Sequence, residues 1–130
     1  MSTSPGANLD LVRRIYDEFN ETLELPRWAL RDDVTWQPPS DEPDNALRSG
    51  ADAVTAYVRE WASIFDDYHC EVHELIDRGE RVLAALHLGG RIGESGAPMT
   101  IPVTQVWTIR DGKVARVDEY RSTDEALRAH

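Results

Sequence analysis

Between Met99 and Arg121 the chain carries two runs with β-type alternation, one on each side of Arg110-Asp111-Gly112-Lys113. Asp-Gly supplies the positive backbone angles that a two-residue turn needs, so a long antiparallel hairpin is the first constraint on any fold of this chain. In its second arm, side-chain alternation places Ala115, Val117, Glu119 and Arg121 on one face and Val114, Arg116, Asp118 and Tyr120 on the other. Glu119 runs in phase with Val117, on the side expected to be apolar, and is the candidate catalytic carboxylate. In the first arm Val103, Gln105, Trp107 and Ile109 share a face opposite Thr104, Val106 and Thr108. That stripe is expected outside, against a partner sheet, with Thr104 turned inward.

Upstream, Leu9, Val12, Tyr16, Phe19 and Leu23 recur at helical spacing, in a helix opening at Asn8 as its cap and broken by Pro26. Residues 1–7 have nothing apolar to anchor them and are expected to form a disordered tail, leaving 8–130 as a single domain. A helical turn over Arg27 to Leu30 leads to a strand at Val34 to Gln37, which Pro38-Pro39 ends. Pro38 to Ser49 reads as an exposed loop at a pocket mouth. A second long helix runs from Gly50 or Ala51 to Phe65, with Val54, Tyr57, Val58, Trp61, Ile64 and Phe65 on its apolar face and Thr55, Arg59, Glu60 and Ser63 on its polar one. Strands at Tyr68 to Ile76 and Arg81 to Ile92 follow, and Ser122-Thr123-Asp124-Glu125 opens a short last helix. Helices gathered on one face of a curved antiparallel sheet of four meandering strands make an α+β roll.

Charge narrows the partners. Fourteen basic against 24 acidic residues give a net charge of −10, which repels nucleic acid and anionic membrane surfaces. No apolar run reaches membrane-spanning length, and the first residues lack the pattern of a secretory leader. With one cysteine, Cys70, the chain suits a reducing compartment, and the expectation is a cytoplasmic protein. His69, Glu71 and His73 sit together in sequence, but on a strand the outer two are roughly 13 Å apart, too far to share one zinc ion. No metal and no organic cofactor are expected. Alternation with Val82, Ala84, Leu86 and Leu88 turns His87 to the outer sheet face, where it is either a surface or interface residue or a catalytic one.

Several short stretches resemble the SnoaL-like branch of the nuclear transport factor 2-like superfamily. They are Asp32 to Trp36, Leu47 to Gly50, Asp77 to Val82, Arg110 to Val114 and Asp118-Glu119-Tyr120, and the likeness extends from Leu9 to Ala129. The resemblance implies a cone in which a bent sheet wraps the long helix around one deep apolar pocket, commonly in a homodimer formed through the outer sheet face. The superfamily hosts isomerases, cyclases, epoxide hydrolases, dehydratases and non-catalytic binders. Laid on its ketosteroid isomerases, Tyr16 falls on their oxyanion tyrosine, whereas their general base falls on Pro38 and their protonated aspartate on Thr104. Laid on its limonene epoxide hydrolases, their arginine and first aspartate fall on Leu88 and Gly90, and their last-strand aspartate on Glu119. The polyketide cyclases of this branch use a single acid or base, which one buried carboxylate can supply.

The expected site is therefore a pocket lined by Tyr16, Phe19, Trp36, Tyr57, Trp61, Leu86, Thr104, Val117 and Glu119. Glu119 is the acid or base, and Tyr16 or Thr104 holds a developing oxyanion. Two alternatives stay open: Tyr16 as a plain core aromatic, and Glu119 as a structural carboxylate tied to Arg121 or to a helix. The corresponding function is a cofactor-independent cyclase, isomerase or hydrolase acting on a small apolar oxygenated molecule, such as a polyketide or terpenoid. The alternative is a non-catalytic small-molecule-binding or dimerisation module.

Overall fold

A computed structural model describes residues 6–130; of the expected tail, residues 1–5 lie outside the described residues, and Ala7 already belongs to the first helix. Helix α1 spans Ala7–Thr22. Asn8 does not cap it: the capping position is Gly6, at φ 81°, and the Asn8 amide N–H donates to the Gly79 carbonyl at 2.8 Å, pinning the helix start to a distant turn. The helix stops at Leu23, in the left-handed conformation, before Pro26 is reached. A 3-10 turn at Arg27–Ala29 leads into β1 (Leu30–Gln37), followed by β2 (Arg48–Ser49) and α2 (Ala51–Ser63). The remaining elements are β3 (Asp66–Arg78), β4 (Arg81–Ile92), β5 (Ala97–Arg110), β6 (Lys113–Tyr120) and α3 (Thr123–Ala129). No helix among the described residues is long and apolar enough to cross a membrane.

The six strands form one sheet in the order β2-β1-β6-β5-β4-β3. The expected meander of four antiparallel strands is present. The sheet is nevertheless mixed rather than wholly antiparallel, because β1 docks parallel to β6 with Trp36 opposite Val117. Helix α2 buries Val54, Tyr57, Val58 and Ala62, with Trp61 half-buried at its edge. Ile64, expected on the same face, lies past the helix end and is 52% exposed. Thr55, expected on the polar face, is buried, and its hydroxyl donates to the Ala51 carbonyl at 2.7 Å.

The Asp-Gly hairpin forms as its sequence requires, with φ 54° at Asp111, φ 76° at Gly112, and Arg110 opposite Lys113. Two residues later the register slips. Ile109 faces Val114 and Thr108 faces Arg116, so Ala115 has no partner and forms a β-bulge. Strict alternation is lost there: Val114 and Val117 both enter the core, each 0% exposed, while Ala115 joins Arg116, Asp118 and Tyr120 around an outer hollow. An unbroken register from the turn would set Thr104 against Glu119. The bulge sets Gln105 against Glu119 and Trp107 against Val117 instead, and residues directly opposite share a face.

The two faces of β5 are therefore the reverse of the expected ones. Val103, Gln105, Trp107 and Ile109 point into the molecule; Trp107 is 1% exposed and offers no surface to a partner sheet. Thr104 points outward, its hydroxyl 3.1 Å from that of Thr123 at the start of α3, and Val106 packs with Leu83 under Ala126. The expected homodimer surface is thus core.

Strand β4 runs through Gly89 and Gly90, pressed close to the backbone of its neighbours. A Cβ on Gly89 would stand 2.1 Å from the Met99 carbonyl oxygen, a backbone atom of the neighbouring strand that cannot move aside alone. Gly89→Ala should cost about 2–3 kcal/mol, the upper part of the range for overpacking, read as a lowered denaturation midpoint in urea.

Candidate functional site

Helices α1 and α2 lie across the inner sheet face and leave a cavity between them and the strands. Phe19, Tyr57, Trp61, Tyr68, Leu88 and Ile101 give it apolar walls. Phe65, behind the wall, stacks on Tyr68 at 5.1 Å between centroids, and Phe19 meets Tyr68 edge-on at 6.0 Å.

One hydrogen-bonded string crosses the deep end. The Trp107 indole N–H donates to the Tyr16 hydroxyl oxygen at 2.8 Å, and the Tyr16 O–H donates to Gln105 Oε1 at 2.5 Å. Gln105 Nε2 donates to Glu119 Oε2 at 3.0 Å, and the Trp36 indole N–H donates to Glu119 Oε1 at 2.8 Å. Indoles only donate, so both ends of the string are fixed and the direction of every bond between them follows from the state of Glu119. Four of its members lie on three strands, β1, β5 and β6, brought together by the parallel β1–β6 pairing and by the bulge at Ala115.

Glu119 is buried, 8% exposed, and burial raises its pKa above the ordinary glutamate value by disfavouring the charged form. The N–H groups of Gln105 and Trp36 and the charge of Arg121 work against that rise, and Glu42 adds to it. Arg121 is a weak opponent because it is engaged elsewhere. Its guanidinium holds Asp41 at 2.8 and 3.1 Å and Glu42 at 2.7 Å, which ties the loop after β1 to the cavity rim. Burial also lifts the other ionisable groups of the cavity. Tyr57 and the Cys70 thiol are each pushed up to about 12, and Tyr16 and Tyr68 are raised, so all four keep their protons at neutral pH.

Of the residues expected in the pocket, Tyr16, Phe19, Trp36, Tyr57, Trp61 and Glu119 line the cavity. Leu86 and Val117 pack in the core without reaching its wall, and Thr104 lies on the other side of the sheet. Gln105 and Trp107 line the cavity although alternation assigned them outside, and Tyr68 and Glu42 were not singled out by sequence. The signal for Gln105 and Trp107 is cross-strand pairing with Glu119 and Val117, which becomes legible only once the bulge is known. His87 does face the outer side, where its Nδ1 contacts Nε2 of His73, itself the unpaired residue of a bulge in β3.

A model of the SnoaL-like domain matches residues 12–117. The chain belongs to the SnoaL-like family. No curated protein matches it. Among solved structures, this SnoaL-like domain is similar to a nuclear transport factor 2-like protein of unknown function from Burkholderia pseudomallei, at TM-score 0.71 and 23% identity over 98% of this chain and 97% of that one. It is similar to a candidate SnoaL-like polyketide cyclase from Jannaschia, at TM-score 0.75 and 17% identity over 99% and 96% of the two chains. It is also similar to a protein of ketosteroid isomerase-like fold from Catenulispora acidiphila, solved with trimethylamine, at TM-score 0.67 and 15% identity over 97% and 92%. At these identities the likeness establishes the fold, and the family membership rests on the domain match.

Proposed function

We propose that this SnoaL-like domain is a cofactor-independent acid–base enzyme, a cyclase, isomerase or hydrolase, acting on a small apolar oxygenated molecule of polyketide or terpenoid type. The observation that carries the reading is the environment of Glu119: a carboxyl group at the end of an apolar cavity, gripped on both oxygens by neutral N–H donors, with the nearest cation already paired at the rim. A carboxyl held this way has one orientation, spare lone pairs towards the cavity and a pKa raised above the ordinary glutamate value, which favours proton transfer. Thr104 takes no part, since it faces α3. Tyr16 is the one hydroxyl in the string, and its proton is committed to Gln105 while Glu119 is ionised.

The second reading, a non-catalytic binding module, is favoured by the completeness of the string: every buried side-chain nitrogen and oxygen among the described residues already has a partner. A pocket that is satisfied without ligand needs no reaction to explain it, and the Catenulispora neighbour holds a small amine. The test is turnover by the purified protein of a panel of enones, epoxides and poly-β-ketone thioesters, followed by mass spectrometry, with Glu119→Gln as the control. Conversion that depends on Glu119 supports the enzyme; a ligand that is bound and returned unchanged by both proteins supports the module.

A further inference from the structure

We infer that Gln105 is a positioning residue that couples the proton on Glu119 to the direction of the Tyr16 hydroxyl, so that the cavity offers a base in one state and a tyrosine donor in the other. The inference rests on the acid–base reading of the same site. Its ground is the bonding of a string whose two ends cannot reverse, because Trp107 and Trp36 can only donate.

With Glu119 ionised, both of its oxygens accept, so Gln105 must turn Nε2 towards it and Oε1 towards Tyr16. Tyr16 then spends its only proton on Gln105, and no hydroxyl donor of the string remains for a ligand. When Glu119 takes a proton from a ligand or from water, the bond broken is the donor's and the bond made is Oε2–H. That O–H now needs an acceptor, and a half-turn of the Gln105 amide provides Oε1. The same half-turn brings Nε2 to the Tyr16 oxygen, which already accepts from Trp107, and the Tyr16 O–H is released into the cavity it lines. Each neighbouring pair in the string stays bonded in both states, and besides the Gln105 amide only the Tyr16 hydroxyl hydrogen turns.

The charged and titratable groups around Glu119 leave this exchange to Glu119 itself. Tyr16 from α1, Tyr57 from α2, and Tyr68 and Cys70 from β3 all hold their protons beyond neutrality. Arg121, which follows β6, stays charged and bonds Asp41 and Glu42 of the rim loop.

The test needs no substrate. In the native protein the indole N–H resonances of Trp36 and Trp107, at opposite ends of the string, should shift with pH at one common midpoint, and in Glu119→Gln neither should. In Gln105→Met, Trp36 should keep its shift, since it bonds Glu119 directly, while Trp107 should lose most of its own. Should that variant fail to fold, Tyr16→Phe cuts the string one link further on and should silence Trp107 in the same way. A Trp107 shift that persists undiminished in the cut string, or is missing in the native protein, overturns the coupling. Loss of turnover in Glu119→Gln together with an undiminished Trp107 shift in Gln105→Met would keep the enzyme and discard the coupling; the opposite pair of results would keep the coupling and discard the enzyme.

Discussion

Glu119→Gln should fold, and it should lose about 10²–10⁴-fold in turnover, the usual contribution of a positioned acid or base. The amide is close to an isostere of the protonated carboxyl: its oxygen accepts from Trp36, and its NH₂ donates to Gln105 Oε1 once the Gln105 amide turns over. No buried donor is left facing another. Stability should respond in the opposite sense to activity. Burial raises the folded-state pKa of Glu119 above its unfolded value of about 4.3, so the folded protein holds this proton more tightly than the unfolded chain does. The stability so gained is fully present below the unfolded value and is lost as pH rises through the folded one. At pH 8, well above the unfolded value, the native protein either carries a desolvated charge or holds a proton that the unfolded chain has released, a cost that Glu119→Gln lacks, and the variant should melt at an equal or higher temperature. Towards pH 4 that advantage should disappear. Thermal melts across this range, set beside initial rates, separate the two effects. Full turnover in Glu119→Gln would remove the residue from the chemistry and bring the binding module forward.

The parts of this site carried by helices were legible in the sequence, because a 3.6-residue period identifies an inward face without reference to any other element. Tyr16 and Phe19 on α1, and Tyr57 and Trp61 on α2, all line the cavity where that period put them. The strand-borne half depended on phase. Glu119 was placed correctly because it lies beyond the bulge in β6 and in step with Val117, whereas Val114 and Ala115, on the near side, exchanged faces. The same slip exchanged the faces of β5, replacing Thr104 by Gln105 beside Glu119. One unpaired residue thus reverses a whole arm of the hairpin, and Ala115 carries no mark in the sequence that it will be the unpaired one. The parallel pairing of β1 with β6 was equally hidden. It joins Trp36 to Glu119 across 83 positions, and local pattern holds no information about contacts that distant. The Arg121 clamp was invisible for another reason: Asp41 and Glu42 belong to a loop, where no period tells which side chain points where.

Trp107 is where the two placements of β5 lead to opposite results. On an outer face, Trp107→Ala would leave the fold alone and change association. In the structure the ring is 1% exposed, meets Tyr16 edge-on at 5.5 Å and Trp36 edge-on at 5.9 Å, and donates its N–H to Tyr16. Truncation to Ala removes a large buried aromatic from between two others that are held by the string and cannot close over the gap. It should cost about 3–5 kcal/mol. Against a total stability of about 5–15 kcal/mol for a domain, that removes between roughly a fifth and all of it. Trp107→Phe separates packing from hydrogen bonding. It keeps most of the apolar area and removes a single donor, whose bond to Tyr16 contributes about 0.5–1.5 kcal/mol. Urea denaturation of the two variants should therefore show a large loss for Ala and a small one for Phe. A Trp107→Ala protein that unfolds with the native one and differs only in sedimentation would return the side chain to the outer face and, with it, undo the register that brings Gln105 to Glu119.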